Sequence, residues 1–159
     1  ATLARRTDIE SHFYICGGKN ILTENTFNSE KAHDVGLRLV MPDHGTSLFS
    51  FYLSVTQRMC KDCKKDFNSN NPDKKEVTRT VRQISKHCSK EETYIASRIP
   101  LAEAIFRELL AVGIKPTNAG AVSESLMARW AATPTHPRVS GEVVARLAKS
   151  LQDIEITNE

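Results

Sequence analysis

Cys60-Lys61-Asp62-Cys63 is a C-x-x-C set among lysines, with Lys64 and Lys65 directly behind it. The turn between two cysteines at this spacing brings both sulfurs to one side, where two thiolates can share a metal ion. A structural zinc site takes four ligands, so the chain must fold to bring two more donors to the same point. No stretch of hydrophobic pattern restricts the fold as strongly. Donors are few, because the chain has four cysteines and five histidines. Cys16 precedes Gly17 and Gly18, and glycine suits a tight metal-binding turn where the backbone can need positive φ. His12 lies four residues before Cys16, and His87-Cys88 lies downstream. The expected ligands are Cys16, Cys60, Cys63 and His12, with His87 or Cys88 as alternatives for the fourth position. His33 and His44 fall in loop-like stretches and are expected to face solvent.

A chain of 159 residues is one domain or two small ones. With 40% hydrophobic and 26% charged residues it has the balance of a soluble globular protein. No apolar run approaches the length of a membrane span, so no membrane association is expected. No charged-then-apolar leader is visible, which favours reduced thiols and a metal over two disulfides. An intracellular location (cytoplasm, nucleoid or nucleus) is expected on that ground. The sequence begins at Ala1 rather than Met, which leaves room for a segment upstream.

Along the chain, residues 19–56 read as loops and short strands. Leu37-Arg38-Leu39-Val40-Met41 predicts a strand stopped by Pro42, and Asp43-His44-Gly45-Thr46 carries turn chemistry. The most apolar run, from Leu48 to Val55, fits a buried strand or a helix, and periodicity does not decide between them. Phe67-Asn68-Ser69-Asn70-Asn71-Pro72-Asp73 is a breaker and the best boundary. After it, Val77, Val81, Ile84 and Cys88 recur at helical spacing. Cys88 sits on that apolar stripe as a small buried residue would. The expected fold is α+β: a zinc-ribbon-like module of short strands over 1–71, a basic amphipathic helix over 72–97, and a helical module over 98–159.

The third segment reads as three short helices. Pro100 opens the first and Gly113 stops it. Thr117 or Asn118 caps the second, and Ser140 caps the last. Leu109 through Thr117, with Val122 and Leu126, resembles the G-x-x-P-T start of some plasmid-encoded DNA-binding domains, over roughly 20 residues. That resemblance implies a helix-turn-helix. The same stretch, Ala104-Ile105-Phe106 followed by Gly113-Ile114-Lys115-Pro116, also resembles a single pentatricopeptide repeat, but no second copy follows to bury its face.

Charge is segregated. Residues 57–90 carry ten Lys/Arg against four Asp/Glu, while the segments on either side are slightly acidic. A positive field beside a metal knuckle suits phosphate, so Lys61, Lys64, Lys65, Lys74, Lys75, Arg79, Arg82 and Lys86 are the expected contacts to DNA or RNA. The chain has no P-loop, no dinucleotide fingerprint, no H-E-x-x-H, no G-x-S-x-G and no zinc-deaminase signature, so no enzyme activity is expected. The expectation is a zinc-stabilised nucleic-acid-binding protein, either a DNA-binding regulator or a small zinc-bearing subunit of a ribonucleoprotein. The alternatives are an adaptor whose C-terminal helices dock a protein partner or a second copy, and a C-x-x-C thiol redox protein.

Overall fold

The computed structural model describes residues 33–157. They run in the order β1 (Gly36–Leu39), α1 (Gly45–Thr56), α2 (Lys61–Lys64), α3 (Lys74–Lys86), a 3-10 turn (Cys88–Lys90), α4 (Leu101–Val112), β2 (Thr117–Asn118), α5 (Ala119–Trp130), α6 (Gly141–Ala148) and β3 (Ile154–Thr157). The described residues are thus a mixture of helices with one small sheet.

The apolar run from Leu48 to Val55 is helical. Leu48, Phe51, Tyr52 and Val55 are buried at i, i+3, i+4 and i+7, one face of α1. Phe49 and Leu53 point outward and are apolar as well, which is why the sequence pattern there had no readable period. Gly45 opens this helix with φ of 74°, a backbone that a side chain would strain. Because α1 leads straight into Cys60, the C-x-x-C lies between helices. Among the described residues, the ribbon of short strands expected around it is represented by β1 alone.

The later helices start and stop where local chemistry places them. The Asp73 carboxylate accepts from the Glu76 N–H at 2.7 Å and caps α3. Asn118 caps α5 through the Ala121 N–H at 2.7 Å, and Ser140 caps α6. Pro100 precedes α4, and Gly113 ends it with φ of 90°.

Strand β1 is central in the order β2-β1-β3, antiparallel to both neighbours. It pairs Leu37 with Thr117 on one side and with Ile156 on the other. Neither β2 nor β3 was expected, because two and four residues carry too little alternation to register as strands. Gly36 is required here: a Cβ on it would lie 2.2 Å from Thr157 Oγ1. The sheet therefore ties the start of the described chain to its end. One cluster of buried side chains takes residues from every helix and from β1 and β3. Among the described residues no helix is long and apolar enough to cross a membrane.

Candidate metal centre

The start of α2 and the end of α3 meet at one cluster of donors. Cys60 is the residue before α2, in an extended conformation, and Cys63 lies within that single helical turn. On the other side, α3 ends at His87, whose φ of −122° and ψ of −68° leave the helical region. The break matters, because adjacent residues of a regular helix point about 100° apart and could not both aim at one ion. With the helix broken at His87 and a 3-10 turn beginning at Cys88, both donors reach the C-x-x-C.

The four donor atoms of Cys60, Cys63, His87 and Cys88 all lie within 4.8 Å of one another and could hold a metal ion. His87 Nδ1 is 3.5 Å from Cys60 Sγ and 3.3 Å from Cys63 Sγ, and Cys60 Sγ is 3.5 Å from Cys88 Sγ. A tetrahedral ion with bonds of about 2.3 Å to sulfur and about 2.0 Å to nitrogen separates its ligands by about 3.5–3.8 Å. These three of the six edges fall within a few tenths of an ångström of that, and the group could hold a metal ion.

Two N–H groups already point at the sulfurs. The Gln83 side-chain amide donates to Cys63 Sγ at 3.2 Å, and the Cys60 backbone N–H donates to Cys88 Sγ at 3.3 Å. Such donors favour the thiolate over the thiol, as a supporting shell around a metal does. Cys63 and Cys88 are buried, Cys60 is half-buried and His87 is exposed, so the cluster is closed on its core side and open at the imidazole. Burial pushes the Cys88 thiol up to about 12 and raises Cys60 as well. Without a cation these thiols are neutral at pH 7, and a coordinating metal deprotonates them.

Of the expected ligands, Cys60 and Cys63 are in the cluster, while Cys16 and His12 lie outside the described residues. His87 and Cys88, considered for one position between them, both belong to the group. Cys88 is fully buried, as its spacing implied, but in the 3-10 turn beyond the end of α3 rather than on the helix, and is a potential ligand as well. Gln83 was not anticipated. Its signal was available: Gln83 and His87 are four residues apart, hence on one face of the helix.

All eight expected basic residues are exposed. Lys65 pairs with Asp62 at 3.2 Å, Lys74 pairs with Asp43, and Arg79 lies 3.6 Å from Glu76. The Arg79 guanidinium also stacks over the Phe67 ring at 4.8 Å, which holds its stem in place. Among the described residues Lys61, Lys64, Lys75, Arg82 and Lys86 enter no ion pair. Lys74, Lys75, Thr78, Arg79 and Arg82 line a shallow groove of about 320 Å³ along α3. No protein-family model, curated protein or solved structure matches this chain.

Proposed function

We propose that this chain is a zinc-stabilised nucleic-acid-binding protein. The observation that carries the reading is the meeting of Cys60, Cys63, His87 and Cys88 at the junction of two lysine-rich segments. Three thiolates and one imidazole are a zinc donor set, and four protein ligands leave no position for a reacting water, so the metal is structural. Cys16 and His12 are not needed to complete it.

Zinc supplies a fixed divalent charge that holds α2 against the end of α3. Lys61, Lys64 and Lys65 flank the two cysteines on one side of that cluster, Lys86 directly precedes His87 on the other, and Lys74, Lys75, Arg79 and Arg82 lie further along α3. Phosphates of DNA or RNA are the partner this surface suits, through contacts independent of sequence and weakened steeply by salt. A DNA-binding regulator and a zinc-bearing ribonucleoprotein subunit share this chemistry.

Two observations weigh on the alternatives. An adaptor reading relies on an apolar face of the C-terminal helices, yet Ile105, Leu109, Leu110, Val122, Leu126 and Trp130 are buried within the chain's own core. A thiol redox reading calls for a low-pKa thiolate, and burial raises Cys60 and Cys88 instead.

The test is metal content and the ratio of absorbance at 260 and 280 nm, on protein purified without chelator. One zinc per chain with co-purifying nucleic acid is the expected result. Absence of zinc overturns the metal assignment. Zinc without any affinity for nucleic acid at low salt overturns the phosphate assignment.

A further inference from the structure

The charge on α3 runs in a single line. At about 100° per residue, Lys75, Arg79, Arg82 and Lys86 fall within an arc of about 60°. The buried residues Val77, Thr80, Val81 and Ile84 centre on the opposite side of the helix. The line is therefore the part of α3 furthest from the core. Lys75, Arg82 and Lys86 enter no ion pair among the described residues, and the Arg79 contact to Glu76 is long and solvent-facing. Over its eleven-residue span the line is about 16 Å long, with a cation every 4.5–6 Å or so. Long lysine and arginine stems can adjust that spacing to the phosphate repeat of one strand.

A helix seated in a duplex groove is built differently. Its outermost line reads base edges, and its phosphate contacts lie on flanks that face the two strands. On α3 the outermost line is occupied by the cations themselves. Gln83, the amide of this helix that could read a base, donates to Cys63 Sγ instead. The flanking Lys74 is engaged by Asp43. The helix also has no aromatic residue on which a base could stack.

We infer that α3 binds the backbone of a single-stranded nucleic acid, about four phosphates long, without reading its bases. The inference rests on the nucleic-acid reading above and names the ligand class of that same surface.

The test compares a labelled oligo(dT) of about a dozen nucleotides with a duplex of the same length, by fluorescence anisotropy on the zinc-loaded full chain over a salt series. The single strand is expected to bind more tightly, with a slope of log K against log salt near −3, about −0.7 for each of four phosphates. The double variant Lys75→Gln/Arg82→Gln removes two contacts, so the slope should flatten by about 1.4. Zinc content and melting temperature should not change, because both side chains are exposed. Duplex binding that equals or exceeds single-strand binding overturns this inference and leaves the broader reading intact. A slope unchanged in the double variant overturns α3 as the surface. No binding to either ligand at low salt overturns both readings.

Discussion

The region around Cys60–Cys88 and the region around Trp130 share one core but are held in different ways. In the second, α4, α5 and α6 bury Ile105, Leu109, Leu110, Val122, Leu126, Trp130 and Val144 against one another. The polar groups taken inside with them are satisfied locally. Glu108 accepts from Ser125 Oγ at 2.5 Å and Arg129 Nε at 2.8 Å, and Trp130 Nε1 donates to the Ile95 carbonyl at 3.0 Å. These helices have eight to twelve residues each and an apolar face, with side-chain caps on α5 and α6. In the first region, α2 has only four residues and buries only Cys63. A single turn cannot sustain itself in water, because nucleating a helix costs more than one turn of hydrogen bonds returns. Amphipathic helices stabilise each other, whereas a one-turn knuckle needs an external clamp, and the four donors are placed to provide one.

Breaking the clamp is expected to have the largest effect. Cys63→Ser removes one of the four donors and, on the proposed reading, should abolish stoichiometric zinc. Structural zinc contributes an apparent 10–16 kcal/mol or so in small peptides, so even a fraction of that would melt the knuckle. Amide hydrogen exchange should show α2 and the last turn of α3 losing protection while α5 keeps its own. Equal loss across α5 would show that the two regions unfold as one unit.

A smaller effect is expected from the opposite lesion. Trp130→Ala empties a fully buried site and should cost about 3–5 kcal/mol in denaturant unfolding. Zinc stoichiometry should be unaltered in the folded variant. Metal loss in parallel with Trp130→Ala would erase the distinction between the regions.

The smallest effect concerns Glu103, which couples α4 to the end of α1. Its carboxylate accepts from Arg58 Nε at 2.9 Å and from Arg107 Nε at 2.7 Å. Burial alone would raise this carboxyl, but the hydrogen bonds and charges of Arg58 and Arg107 outweigh it and hold the group below its ordinary value. The stabilisation is therefore complete above the ordinary unfolded-state value of 4.5 and is lost as pH falls through the lower folded-state value. Glu103→Gln should cost about 1 kcal/mol at neutral pH, a modest figure because water still reaches the pair. The difference from the parent protein should shrink below about pH 4. A gap of constant size through that acid range would show that charge has no part in it.

Much of this architecture was legible where the determinants are local. Asp73, Asn118 and Ser140 announce helix starts because a short polar side chain beside an apolar stripe has few better uses. The strand at Gly36–Leu39 was legible from its apolar run and the proline after it. The C-x-x-C announced a metal-binding possibility through spacing alone. Helix α1 was ambiguous because Phe49 and Leu53 interrupt its period with exposed apolar residues. Strands β2 and β3 were illegible because their partner, β1, lies about 80 or more residues away in sequence, and a short strand is defined by what it pairs with.

The sequence by itself determined the helical segments after Pro72 and the caps at Asp73, Asn118 and Ser140, the concentration of positive charge over 57–90, and the pair of cysteines able to start a metal site. These are properties of neighbours along the chain, set by helix period, side-chain hydrogen bonding and turn geometry. The tertiary structure decided which donors join Cys60 and Cys63, because His87 reaches Cys60 across 27 positions of sequence. That outcome depends on how α3 packs against α1 and where that helix breaks, and such packing is settled by burial of the whole molecule rather than by any one stretch of it.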